Sequence, residues 1–239
     1  MKSALIAVTV VVLAGGCTKP VQPPQQALAA AVAKTQANTA KAVFNVFVHG
    51  NAELSGQAFH DEAAHATVAQ VVDLSAGPAG GWETVALGSD LYVKAATLDP
   101  HKYTHIDGKR VKSLTALGVD PYDPSGIGRF PAAIVSARRD SPGQYTGTVD
   151  LAKAAPPGVT PDILRALGGA AVAQFEATVD AAGHLESLTI HLSGPNFGAG
   201  DQTYVTFDGF GTALDEPLTA PARDLVVEAS PQLYTRLRA

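Results

Sequence analysis

The chain has a single cysteine in 239 residues, Cys17, close to its start. Without a second one there is no internal disulfide, and once Cys17 has another task there is no thiol catalysis or Cys-based zinc site. The fold must then hold by its core alone. Aromatic residues are only 6% of the chain, so few large side chains are available to fill an interior. Charged residues are 16% and hydrophobic ones 46%, a globular rather than a disordered composition. Formal charge is −5, and no basic patch interrupts the mildly acidic balance. That argues against nucleic acid as a partner and against charge-driven binding to anionic head groups. Catalytic signatures are missing too. There is no G-x-S-x-G elbow and no P-loop, and Gly198-Ala199-Gly200 lacks the helix a dinucleotide site needs. The segment His60-Asp61-Glu62-Ala63-Ala64-His65 has the wrong spacing for H-E-x-x-H and reads as an exposed hairpin loop. His101 and His105 are four apart, but Pro100 and the strand character of Tyr103 to Asp107 keep them off one helical face. The pairs Asp61/Glu62 and Asp215/Glu216 sit in loops without apolar walls to shift a pKa. The expectation is a protein that is not an enzyme, with no metal and no cofactor.

What is there begins with Lys2, an apolar run from Ala4 to Ala14, and then Gly15, Gly16 and Cys17. A positive start, a short apolar stretch and small residues are the parts of a secretory signal. The run is too short for a spanning helix, which needs about 20 residues. Its end, Leu13-Ala14-Gly15-Gly16-Cys17, resembles the lipobox of bacterial lipoproteins. That resemblance implies a diacylglyceryl cysteine at position 17, with palmitate-type acyl chains, and cleavage of the bond before it. A thiol is nucleophilic enough for such alkylation, and two or more acyl chains hold a protein at a membrane where one does not. Thr18 to Gln26 (TKPVQPPQQ) reads as an extended tether of about 3.1 Å per residue. The expected organisation is therefore a signal peptide over 1–16, a lipidated Cys17 and flexible tether over 17–26, and a single domain over 27–239.

Ala27 to Lys41 is rich in Ala, Gln and Lys and reads as an amphipathic helix. Strands follow: Ala42 to His49, Glu53 to His60, Ala64 to Val72, Trp82 to Leu87, Leu91 to Ala96 and Tyr103 to Asp107. Short turns between them imply antiparallel pairing. The middle predicts helices over Ser113 to Leu117, Gly126 to Ala137 and Pro161 to Leu167, with a strand over Gln144 to Leu151 after the Pro142-Gly143 turn. Asp123 or Ser125 is placed to cap the second helix. In the last third, Ala171 to Asp180, His184 to Leu192 and Gln202 to Phe210 alternate apolar and polar residues, which means one dry face and one wet face. Thr146, Thr148, Thr178, Thr189 and Thr206 fall on the wet side.

Nine to eleven strands and three or four short helices give an α+β fold, a large curled antiparallel sheet or half barrel with a few helices over its concave face. A curled sheet with few aromatics is open to an apolar cavity of several hundred Å³, the usual form of a small-molecule site. The residues expected to line it are Val149, Ala173, Phe175, Ala177, Val179, Leu188, Ile190, Val205 and Phe207. A smaller void would favour an interaction module instead.

The order of features resembles the LppX/LprG group of actinobacterial envelope lipoproteins, within the LolA/LolB-like fold. The resemblance rests on the lipobox and tether, the first helix, Asp90-Leu91-Tyr92-Val93, the Tyr122-Asp123-Pro124 stretch before Ile127-Gly128, and the closing strand Thr203-Tyr204-Val205-Thr206-Phe207. It implies a half-open barrel whose apolar cavity holds acyl chains, and it carries no catalytic residues. The functional expectation is a membrane-anchored extracytoplasmic lipoprotein, monomeric, that binds or carries a lipid or other hydrophobic ligand. The alternative is a non-enzymatic interaction or sensory lipoprotein that modulates another envelope protein.

Overall fold

Alternation of apolar and polar side chains runs through almost every strand and fixes which side of the sheet is covered. In the computed structural model, the described residues are 22–49, 51–74, 80–112, 120–154, 156, 167, 172–194, 196–213 and 217–238. The signal peptide, Cys17, the expected helix over 113–117 and, except for Leu167, the one over 161–167 lie outside them.

Six strands come first: β1 Ala40–Val48, β2 Asn51–Asp61, β3 Ala66–Asp73, β4 Trp82–Leu87, β5 Asp90–Ala95 and β6 Asp99–Asp107. They form one antiparallel meander. A second meander contains β7 Ile134–Ser141, β8 Gln144–Asp150, β9 Val172–Val179, β10 Leu185–His191 and β11 Gln202–Asp208. Its last strand pairs with β1, so the two meanders join into one sheet. A short strand, β12 Val226–Glu228, closes the order β12-β6-β5-β4-β3-β2-β1-β11-β10-β9-β8-β7. The sheet is open, with β12 and β7 at its edges. This is the expected α+β architecture, a large curled, mainly antiparallel sheet with a few helices. One pairing departs from it: β12 runs parallel to β6, through Val226↔Tyr103, Val227↔Thr104 and Glu228↔His105.

Local chemistry explains the turns. Pro142-Gly143 joins β7 to β8, with Gly143 at φ +77°. Proline pre-sets the first central position of such a turn and glycine tolerates positive φ at the second. Gly88-Ser89 joins β4 to β5 as a two-residue loop, with Gly88 at φ +56°.

Helix α1, Pro24–Gln36, covers part of the inner face and buries Leu28, Ala31, Val32 and Thr35. It opens three residues before the expected Ala27, because Pro24 and its fixed φ suit a helix start. The tether expected through Gln26 is shortened by the same residues. The helix ends at Gln36, not Lys41. Asn38 Nδ2 donates to the Lys34 carbonyl at 2.7 Å, and Ala40 and Lys41 enter β1 opposite His60 and Phe59. Thr35 Oγ1 accepts from Leu185 N–H at 2.8 Å and so ties the helix to β10.

The second expected helix, Gly126 to Ala137, is cut short: its last four residues, from Ile134, belong to a strand. Only a 3-10 turn at Ile127–Arg129 and one turn of helix, α2 Phe130–Ala133, form before β7 begins at Ile134. Pairing of β7 with β8 overrides the local helical preference. Asp123 does cap this segment, its Oδ2 accepting from Gly128 N–H at 2.8 Å. After β8, Asp150 Oδ1 accepts from Ala152 N–H and Lys153 N–H, ending the strand and starting α3, Leu151–Ala154.

Two apolar cores lie on the inner face. The larger joins α1, α2 and α3 to β1–β3 and β8–β11, with the Phe130 and Phe175 rings edge to face at 5.0 Å. The smaller joins Ala86, Leu91, Val93 and Ile106 to a C-terminal helix, α4 Pro231–Arg238, through Leu233, Tyr234 and Leu237. The threonines expected outside are partly or fully exposed. They form a polar ladder there, for example Ser136 with Thr148 at 2.7 Å.

Candidate functional site

Directly opposed residues of neighbouring antiparallel strands share a face, so the sheet register defines the inner floor. One row across it runs Phe207, Ala42, Ala58, Ala69, Thr84, Val93. The next row runs Val205, Phe44, Gly56, Val71, Trp82, Ala95. Over β1–β3 the first row is therefore small, Ala42, Ala58 and Ala69, while the second carries Phe44 and Val71 on either side of Gly56. Gly56 is small for a reason: a Cβ there would stand 2.3 Å from Phe44 Cε2, so the ring lies across the glycine.

The 108–133 segment links β6, which lies next to the edge strand β12, to the opposite edge strand β7. Its turn at 122–127 and the end of α1 roof a cavity of about 80 Å³ above Ala42, Ala58 and Phe207. Thr35 and Gln36 reach it from α1, and His60 and Thr67 stand at its rim. His60 is held there by Thr67 Oγ1 and Glu62 Oε2, both at 3.0 Å. Burial pushes the Asp123 carboxyl above its usual range, against the hydrogen bonds it accepts from Gly128 and Ser125. A second space of about 20 Å³ lies beyond Ser125 and Ile127, against Phe44, Leu188, Ile190 and Val205.

Of the nine residues expected to line a cavity, Phe207 borders the first space, and Leu188, Ile190 and Val205 border the second. Val149, Ala173, Phe175 and Ala177 face inward but are packed within the larger core, and Val179 is half-buried against it. These two spaces are smaller than the several hundred Å³ expected. Leu28 and Val32 of α1, with Phe130 of α2, fill the interior above β8–β10. The room lies instead toward β1–β3, where the floor is alanine. Sequence reading missed Ala42, Ala58 and Tyr122–Ser125 as a site, although the alternation Leu54, Gly56, Ala58 marks that floor. The histidines expected in a hairpin loop are divided: His60 lies in β2, one residue before its end, at the cavity rim, and His65 lies in the turn with φ +47°. His105 lies on the outer face, between Asp90 and Glu228.

No family model matches the chain, and no curated protein matches it. Among solved structures, an uncharacterized conserved protein from Thermus thermophilus is similar at 11% identity and a TM-score of 0.41, over 85% of this chain and 98% of that one. A LolA superfamily protein from Nitrosomonas europaea is similar at 11% identity and a TM-score of 0.33, over 82% of this chain and 96% of that one. The class is defined by the chain's own sheet: an α+β protein with an open, curled sheet and a partly roofed inner face.

Proposed function

We propose that this protein is an extracytoplasmic lipoprotein, fastened to the membrane through lipid on Cys17, that binds a lipid or other hydrophobic ligand on the inner face of its sheet. In this reading the chain resembles the LppX/LprG group of envelope lipoproteins. The observation that carries it is the floor of small side chains, Ala42, Ala58 and Ala69 with Gly56 beside them, under a roof made of turns and an alanine-rich helix. Over the cavity itself α1 contributes only Thr35 and Gln36, beside the 122–127 turn, while its Leu28 and Val32 are buried elsewhere in the core. An acyl chain entering here displaces few buried apolar groups, at about 0.8 kcal/mol per methylene.

A second reading, a ligand-free module that modulates another envelope protein, is favoured by the cavity of about 80 Å³, well below the ~300–1,000 Å³ of ordinary ligand pockets. One experiment separates the two. The chain from residue 17, with Cys17→Ser, is loaded with an environment-sensitive fluorescent fatty acyl probe and titrated with envelope lipid extract. Saturable probe binding, competed by the extract, is expected of the carrier. A chain that takes up no probe, while a pull-down returns one envelope protein reproducibly, contradicts the carrier and supports the module.

A further inference from the structure

Two polar atoms on the inner face are shielded from solvent with no hydrogen-bond partner among the described residues: Trp82 Nε1 and Thr84 Oγ1. Thr84 is fully buried. The two residues are neighbours on one face of β4, since side chains at i and i+2 of a strand point the same way. Thr84 lies between Ala69 and Val93, Trp82 between Val71 and Ala95. Ala69 belongs to the larger core and Val93 to the smaller, so the unpaired atoms stand at the seam between the two. From that seam the row Ala69, Ala58, Ala42 leads to the cavity beside Phe207. A buried donor left unpaired is costly, and native structures rarely keep one without a use.

The charges nearest in sequence do not serve these atoms. Glu83 and Lys94 lie on the opposite face, where they pair at 3.0 Å and Glu83 also accepts from the Tyr103 hydroxyl at 2.6 Å. The seam therefore presents an indole N–H and a hydroxyl with no cation supplied by these neighbours. Such a pair suits a neutral acceptor, whereas a carboxylate would bury an unpaired charge.

Resting on the lipid-binding reading above, we propose that Trp82 and Thr84 form the polar subsite of the ligand site. They take the carbonyl oxygen of an acyl ester, whose chain lies along Ala69, Ala58 and Ala42. The ligand class is thus a neutral acyl ester in preference to a free fatty acid or a plain hydrocarbon.

Trp82 is the chain's single tryptophan, so its indole N–H gives one resonance in a ¹⁵N–¹H spectrum. The test uses the labelled chain from residue 17 with Cys17→Ser, which keeps every described residue. Methyl oleate, oleate and hexadecane are supplied from cyclodextrin. Methyl oleate is expected to move the indole resonance downfield, hexadecane to bind without that shift, and oleate to bind more weakly than its ester. Trp82→Phe should weaken methyl oleate about tenfold, the size of one buried hydrogen bond, and leave hexadecane unchanged. Should Trp82→Phe fail to fold, the isosteric Thr84→Val carries the same comparison. If ester and hydrocarbon bind alike, with no indole shift and no loss in either variant, the subsite is overturned while lipid binding stands. If no probe binds at all, the lipid-binding reading falls, and the subsite with it.

Discussion

Thr84 shows how one residue can be a liability to the fold and an asset to a site. Its hydroxyl has no partner among the described residues, and leaving a buried polar group unpaired costs about 1–3 kcal/mol. Thr84→Val should therefore stabilise the ligand-free protein by about 1 kcal/mol, seen as a higher urea midpoint with an unchanged slope. A lower midpoint would mean that the hydroxyl already has a partner. Gly56 works the other way. Gly56→Ala drives a methyl into the Phe44 ring and should cost about 1–3 kcal/mol by overpacking, read from the same urea curves; an unchanged midpoint would show that Phe44 does not lie across the glycine. In the proposed reading, Cys17 is the residue on which the membrane anchor depends. Cys17→Ser should abolish incorporation of labelled palmitate and release the protein from the membrane fraction, and retention of label would move the anchor elsewhere.

At the scale of elements, the C-terminal strap is the part with a built-in pH dependence. β12 meets β6 through only three residues, and His105 links it to the next strand. Its Nδ1 faces Glu228 at 3.0 Å and its Nε2 faces Asp90 at 3.0 Å, while its ring stacks on Tyr92 at 5.0 Å. Both contacts at full strength need both ring nitrogens to donate, which only the protonated imidazole can do. Burial pulls His105 toward the neutral form, but the hydrogen bonds and charges of Asp90 and Glu228 outweigh it, and the pKa is raised above 6.5. The contribution is fully present below the ordinary histidine value and is lost as pH rises through the raised one. Hydrogen exchange at Val226–Glu228 should accelerate over that window, and Glu228→Gln should flatten the dependence. Exchange that slows with pH, once corrected for the intrinsic rate, would contradict the sign. The neighbouring outer cluster stays outside this range. Burial, then Glu83, pushes the Tyr103 phenol up to about 12, and the Tyr103 hydroxyl holds Glu83 below its usual value.

Elements differed in how far the sequence exposed them. β9, β10 and β11 alternate cleanly, and β4 and β5 flank a glycine turn, so their bounds were legible within a residue or so. β7 was not, because SARRDS on an edge strand keeps its outer rim polar on both faces and Phe130–Ala133 does form a helical turn before it. β12 was hidden for another reason. Its partner is β6, more than a hundred residues earlier, and nothing in its own three residues names that partner. The inner-facing residues of β8–β11 were legible by period alone. Which of them border free space was not, since that depends on how far α1 and the 122–127 turn stand above each strand. Trp82 and Thr84 carried no sequence signal as a pair, because an unpaired donor is a property of what fails to lie above it.

For the whole molecule, the open sheet with two separate cores is the feature with functional weight. A fully packed sandwich would need one continuous core. Here the larger core runs from β8–β11 under α1 and α2 to β1–β3, α4 covers β4–β6, and one row of β1–β3, Ala42, Ala58 and Ala69, is small. The most direct test of the central claim is native mass spectrometry of the chain from residue 17 after incubation with envelope lipid extract. The predicted spectrum shows a bound species at discrete lipid mass, with one ligand per chain, that Trp82→Phe reduces. A spectrum of ligand-free protein alone, at every lipid concentration tried, would contradict it.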